Sequence, residues 1–155
     1  MTLVVAYDVE EALASGAPIV ALETAVLTAG LPRTPWNDSY GECPVTIDST
    51  LPINVALAQV MTKVVRSNGA LPAWIAVVDG VLRIGLCPEE VSSLCKDQHA
   101  GKVSLATVAQ TMQSGNSAGT TVAATLLACR LASPKQAIRV FATGGIGGLH
   151  QNWSN

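Results

Sequence analysis

Pro72-Ala73-Trp74-Ile75-Ala76-Val77-Val78-Asp79-Gly80-Val81-Leu82-Arg83-Ile84 is the stretch that decides the fold. An apolar run of this length, Pro72 to Val78, reads as a strand buried on both faces. Asp79-Gly80 is a strong hairpin signal, and Val81 to Ile84 is the returning strand. Helical patterns flank the pair. Upstream, Val55, Leu57, Ala58, Val60, Met61, Val64 and Val65 recur at three- and four-residue spacing, with Lys63, Arg66 and Ser67 toward solvent. That predicts a helix over Val55 to Asn68, with Gly69 as its C-terminal cap. Downstream, Pro88-Glu89-Glu90 opens another helix, with proline and acids in the first turn, where they suit the dipole.

Working outward extends the alternation. Val9 to Ala14 reads as a short helix closed by Gly16 and Pro18. Ile19-Val20-Ala21-Leu22-Glu23 follows as a second buried strand. Ala29 to Pro52 reads as loop, punctuated by Pro32, Pro35, Pro44 and Pro52, and a loop this long is either functional or a poorly ordered insertion. On the C-terminal side, Ser104 is read as the N-cap of a helix to Met112, and Ser114 to Gly119 as a turn. Thr120 to Ala132 is a helix apolar on nearly all sides, and therefore expected to be buried. Ile138 to Ala142 is the third core strand, running into Thr143-Gly144-Gly145-Ile146-Gly147-Gly148. Helices alternating with short apolar strands predict an α/β domain over residues 1–155, three-layered α/β/α with a mixed sheet.

The composition excludes several functions. With 155 residues the chain suits one domain. Apolar residues make up 49%, but charged residues only 13%, against a usual ~25%. This is no disordered tail or coiled coil, and so few charges suit a buried part of something larger, or a subunit with a wide interface. The net charge of −2 and the lack of a basic stripe argue against nucleic acid, and 4% aromatics argues against base stacking. No apolar stretch approaches the ~20 residues of a membrane span. The N-terminus turns acidic at once, unlike a secretory leader, so the expected location is the cytoplasm. Cys43, Cys87, Cys95 and Cys129 form no Cys-x-x-Cys pair and are read as reduced thiols, mostly packing residues.

Three features could carry chemistry. Glu23 ends a strand, the place where ligands gather in α/β sheets, and a half-buried carboxylate there suits general acid or base work as well as simple capping. Gly119-Thr120-Thr121-Val122 opens a helix whose free N–H groups could cradle a phosphate, helped by the Thr120 and Thr121 hydroxyls; an ordinary threonine cap is the plainer reading. Lys102 would be the cationic partner of such a phosphate. The glycine-rich strand exit at Gly144 to Gly148, followed by His150, allows close approach of backbone to a ligand and offers a phosphate or sugar contact. It fails the G-x-G-x-x-G frame, because His150 falls where the last glycine belongs, so a dinucleotide site is disfavoured. His99 is read as a surface residue. No motif for zinc, a Walker loop or a nucleophilic serine is present.

These stretches together resemble the pseudouridine-5′-phosphate glycosidases, the indigoidine synthase A-like family. The resemblance rests on Val20 to Glu23, Gly30-Leu31-Pro32, Asn68 to Ala73 with Ile75-Ala76, Gly80 through Gly85-Leu86, Lys102-Val103-Ser104, Gly119 to Ala123, and Val140 to Gly148 with His150. They occur in the family's order and cover nearly all of the chain except Arg33 to Pro52.

The resemblance implies reversible cleavage of the C–C glycosidic bond of pseudouridine 5′-phosphate to uracil and ribose 5-phosphate. The implied chemistry uses a lysine Schiff base on the opened sugar and a divalent cation, usually Mn2+. Glu23 aligns with the family's proton donor, Lys102 with its phosphate-binding lysine, and Val122 with a substrate contact through backbone N–H. The chain departs from the pattern at Thr24-Ala25, at Ala29, where the family has histidine, and at Leu105-Ala106-Thr107, where it has three charged residues. The family chain is about twice as long, and its metal aspartate and Schiff-base lysine lie beyond Asn155. The expectation is an incomplete copy of the family fold, with no metal ligand of its own and inactive alone. The alternative is a non-catalytic sugar-phosphate-binding or oligomerisation module, a pseudoenzyme or half of a split enzyme. The implied partners are a small sugar or nucleoside phosphate and further copies of the chain, since the family tends to trimers.

Overall fold

The computed structural model describes residues 2–44 and 46–146. In chain order the elements are β1 (Leu3–Val5), α1 (Tyr7–Ser15), β2 (Ile19–Glu23), α2 (Ile53–Ser67), β3 (Leu71–Val78), β4 (Val81–Ile84), α3 (Pro88–Lys96), β5 (Gly101–Val103), α4 (Val108–Gln113), β6 (Ala118–Thr120), α5 (Val122–Leu131) and β7 (Val140–Ala142). A π-helical turn covers Val26–Gly30, and a 3-10 turn covers Asp38–Tyr40.

The sheet is mixed. Its main path runs β1-β4-β3-β2-β7, with β6 added beside β3, and β5 beside β6. The Asp79-Gly80 hairpin forms as the dipeptide predicts: both residues have positive φ, 48° and 76°, as a type I′ turn requires. Gly80 has a further reason to be glycine, since a Cβ there would stand 2.6 Å from the Met112 carbonyl oxygen.

The period-2 alternation along β3 divides the core into two layers. Ala73, Ile75 and Val77 face one side and pack with Val9 and Leu13 of α1, Val108 and Met112 of α4, and Ala124 and Ala128 of α5. Trp74 and Ala76 face the other side and pack with Val55 and Ala58 of α2 and Val91, Leu94 and Cys95 of α3. The three-layer α/β/α expectation therefore matches the observed fold.

Several local expectations do not match. Gly101–Val103 is strand β5, and the following helix begins only at Val108, with Thr107 rather than Ser104 at its N-cap. The turn expected over Ser114 to Gly119 gives way at Ala118 to strand β6, and the helix expected from Thr120 begins at Val122. Nor is α5 buried all round, because Leu126 and Leu131 are exposed. Within Ile138 to Ala142 only Val140–Ala142 joins the ladder; Ile138 is buried but gives its N–H to the Cys129 carbonyl. β1 had no counterpart in the sequence reading.

The long Ala29–Pro52 stretch is tied at both ends. The Arg33 guanidinium donates to the carbonyls of Asp97, of Thr28 (2.6 Å) and of Ala100 (3.3 Å). The Ile53 N–H donates to Thr34, and that of Asn54 to Pro32. Between these ties, Trp36 meets Tyr40 edge-on, with ring centroids 5.8 Å apart.

Cys95 and Cys129 are buried, and burial pushes both thiols up to about 11, so they stay neutral packing groups at physiological pH. Cys87 is exposed and Cys43 half-buried, so the packing role expected of most of the cysteines holds for two of the four.

Candidate functional site

The site arises from how β3 shares one of its edges. Its first half pairs in parallel with β2, ending at Glu23 opposite Ile75. Its second half pairs antiparallel with β6, beginning at Ala76 opposite Gly119. β2 and β6 thus lie end to end along β3, and Glu23 sits where one strand stops and the other takes over. Because β6 runs toward this junction, the helix that follows it starts beside Glu23.

A threonine network fixes the junction. Thr24 is fully buried; its hydroxyl donates to the Ile75 carbonyl (2.6 Å) and accepts the Thr120 N–H (3.0 Å). The Thr120 hydroxyl donates to the same carbonyl (2.7 Å) and accepts from Thr125 Oγ1 (3.0 Å). Thr28 Oγ1 donates to the Gly101 carbonyl (2.8 Å), joining the π-turn to β5. Asn54, fully buried at the start of α2, donates to the carbonyls of Leu27 (3.0 Å) and Cys95 (2.9 Å), holding that turn from beneath.

Above the network lies a cleft of about 450 Å³, lined by Glu23, by Ala25, Val26, Ala29 and Gly30 of the π-turn, by Lys102, by Thr121, Val122 and Ala123, and by Gly144 and Gly145. It therefore brings together Glu23, Lys102, Thr121 and Val122 from the residues singled out in the sequence. Thr120 is not among them. It is fully buried with its hydroxyl committed to the network, so the substrate contact expected of it does not fit its placement. His150 lies outside the described residues. His99 is exposed, as its sequence context suggested.

Each wall has a physical cause. Strand alternation turns Val103 into the core and leaves Lys102 exposed at the cleft. Thr121 locks this strand to α5, since its N–H and its hydroxyl both donate to the Val103 carbonyl, each at 3.0 Å. That commitment leaves the N-terminus of α5 without a side-chain cap. The first N–H groups of α5 are therefore available at a wall formed by Val122 and Ala123, with the positive end of the helix dipole behind them. Among the described residues Arg83–Glu90 is the ion pair present, at 2.9 Å, so Lys102 is free to meet an anion.

Glu23 is 8% exposed. Its Oε1 accepts a 2.6 Å hydrogen bond from Thr143 Oγ1, and Oε2 has no partner among the described residues. Thr143 is the site residue that sequence reasoning passed over. Its signal was a hydroxyl on the first residue after β7, ahead of the glycines that drew attention instead.

Among the described residues no group of three His, Cys, Asp or Glu side chains gathers to hold a metal ion. Glu23 is the one carboxylate on the described cleft wall, well short of the oxygen donor set that a hard divalent cation takes. A second cavity, about 260 Å³, lies between α2 and α3, walled mainly by Val55, Trp74, Leu86 and Val91. It holds none of the residues singled out above. No helix among the described residues is long and apolar enough to cross a membrane.

Comparison with known proteins adds an independent line. Residues 43–155 match the model of a family described as indigoidine synthase A like protein. The pseudouridine-5′-phosphate glycosidase of Dinoroseobacter shibae is 43% identical over 144 residues, covering 93% of this chain and 40% of that protein. The enzyme of the same name from Glaesserella parasuis is 35% identical over 151 residues, covering 97% and 43%. Among solved structures, prealnumycin C-glycosynthase in complex with ribulose 5-phosphate superposes with a TM-score of 0.69 at 28% identity, covering 100% of this chain and 43% of that one. An indigoidine synthase A-like protein of Thermotoga maritima gives 0.70 at 25% identity, covering 97% and 41%. The chain thus spans about two-fifths of the length of these relatives.

Proposed function

Because this chain belongs to the indigoidine synthase A-like family, we propose that its cleft binds the ribose phosphate of pseudouridine 5′-phosphate and supplies the proton donor for cleavage of the C–C glycosidic bond. One observation carries the reading: a buried carboxylate, a lysine without an ion pair among the described residues and an uncapped helix N-terminus converge on a single cleft. The phosphate meets Lys102 and the N–H groups of Val122 and Ala123, a pairing of point charge and oriented dipoles that suits a dianion. The sugar then lies toward Glu23, which serves as the proton donor to the base as it leaves. A sugar phosphate is also the ligand named for the C-glycosynthase relative, which supports the substrate class.

These 155 residues bind but do not turn over substrate by themselves. Ring opening on a Schiff base needs a second amine, and Lys102, the one lysine on the described cleft wall, is occupied with phosphate in this reading. Acid catalysis by Glu23 alone supplies roughly 10²–10⁴-fold, too little for a C–C bond. A bound Mn2+ would supply an electrophile, but the described cleft wall, with Glu23 as its one carboxylate, does not offer the donor set to hold it. Location in the cytoplasm, where the thiols stay reduced, is part of the same proposal.

Calorimetric titration with ribose 5-phosphate tests it. Lys102→Ala should weaken binding by about tenfold or more, because a charge-assisted contact contributes about 1.5–3 kcal/mol. Unchanged affinity in Lys102→Ala would remove the phosphate site, and release of uracil from pseudouridine 5′-phosphate by the purified chain would remove the claim of inactivity.

A further inference from the structure

We propose that Thr143 is a positioning residue that keeps Glu23 hydrogen-bonded in both of its protonation states, by reversing its own hydroxyl. The proposal rests on the reading of Glu23 as the proton donor of the cleft. It starts from the contacts of a single hydroxyl. Thr143 Oγ1 lies 2.6 Å from Glu23 Oε1 and 3.0 Å from the Gly145 carbonyl oxygen, and it accepts the Gly145 N–H at 3.3 Å. A hydroxyl has one proton to give, so it cannot donate to the carboxylate and the carbonyl at once.

The two arrangements correspond to the two states of Glu23. With the carboxylate ionised, the Thr143 hydroxyl donates to Oε1 and accepts from the Gly145 N–H. When Glu23 takes up a proton, its new O–H donates to Thr143 Oγ1, and the threonine proton turns to the Gly145 carbonyl. Threonine neither gains nor loses a proton; it only rotates. In both states Glu23 Oε1 keeps Thr143 as its hydrogen-bond partner, and the Gly145 carbonyl, on an exposed residue, faces solvent when the threonine proton turns away from it. A reversible acid needs this symmetry, since it must lose and regain its proton in one turnover.

The arrangement also couples Glu23 to the strand exit. Gly144 and Gly145 line the cleft, so the switch in hydrogen bonding reaches the cleft wall they form. Lys102 is the other charged group on the described cleft wall. Among the described residues, Thr143 bonds Glu23, Ile75 lies opposite it in the sheet, and Ala25, Val26, Thr121 and Val122 share its cleft; none of these side chains titrates in the relevant range.

Nuclear magnetic resonance on the ligand-free chain tests the proposal. The Glu23 carboxyl carbon, assigned by its loss in Glu23→Gln, is followed with pH together with the Gly145 amide. In the native chain and in Thr143→Ser the Gly145 amide should shift with the same midpoint as the Glu23 carboxyl. In Thr143→Val, which keeps the shape and removes the hydroxyl, Gly145 should no longer follow, while the amides of Val140–Ala142 stay in place. Three results would overturn the proposal: tracking that persists in Thr143→Val, tracking absent from the native chain, or tracking lost in Thr143→Ser. No sugar phosphate is present in this experiment, so failure of ribose 5-phosphate to bind would sink the functional reading separately.

Discussion

Replacing Gly119 with alanine is expected to destabilise the chain by about 3 kcal/mol, the upper range for forced overpacking of a tight core. A Cβ at Gly119 would stand 2.5 Å from the Thr24 carbonyl oxygen, 2.6 Å from its carbon and 2.5 Å from Thr28 Oγ1. Two of these atoms are backbone at the junction where β2 ends and β6 begins, so they cannot swing aside as a flexible side chain would. Relief requires separating the strands, which breaks the Thr120 N–H bond to Thr24 and opens the ladder at Ala76–Gly119. With an m-value near 2 kcal/mol/M, urea denaturation should show the midpoint falling by roughly 1.5 M. Gly101 is the control, being in the neighbouring strand with nothing within 4 Å of its notional Cβ. Gly101→Ala should shift the midpoint by less than ~0.3 M. Equal effects at the two glycines would mean that the junction is not packed as described.

Asn54→Ala should cost a similar amount, about 3 kcal/mol, by a different route. The Asn54 amide is the donor that satisfies the carbonyls of Leu27 and Cys95 in a place without solvent. Removing it strands both oxygens, at about 1–3 kcal/mol each before relaxation. Asn54→Asp separates hydrogen bonding from volume, since it keeps the shape but at neutral pH offers no donor and sets a negative charge against two carbonyls. It should be at least as destabilising as Asn54→Ala. Because Leu27 belongs to the π-turn that forms one cleft wall, hydrogen exchange at Leu27 and Thr28 should accelerate beyond the global change. A stable Asn54→Asp variant would show that the side chain is not the strut assigned to it.

The parts of this molecule legible in the sequence are those whose signal is local. Ile19 to Glu23 and Pro72 to Val78 announce themselves because strands buried on both faces must be continuously apolar. Asp79-Gly80 is legible because positive φ at two successive residues narrows the choice of amino acid. β5 and β6 carry no such signal. Each has three residues, Gly101-Lys102-Val103 and Ala118-Gly119-Thr120, and each is a strand only because a distant partner supplies its hydrogen bonds. The cleft divides in the same way. Glu23 and Val122 could be picked from a strand end and a helix start, and Lys102 from its rarity. Thr143 could not, because its role depends on a carboxylate 120 residues away in the chain. Thr120 misled for the converse reason: a hydroxyl at a helix start looks available until its buried partner, the Ile75 carbonyl, is seen. The low charge content noted in the composition corresponds to apolar surface at Val64, Leu126, Leu131 and Val140, all exposed.

The central claim is that one cleft, at the junction of β2 and β6, recognises a sugar phosphate through Lys102 and the start of α5. The most direct test is a heteronuclear titration of the labelled chain with ribose 5-phosphate, set against ribose at the same millimolar concentration. The account predicts saturable shifts at the amides of Val122 and Ala123 and at Lys102 with ribose 5-phosphate, and none there with ribose. Shifts confined to the cavity between α2 and α3, equal shifts with both sugars, or no saturable shift at all would contradict it.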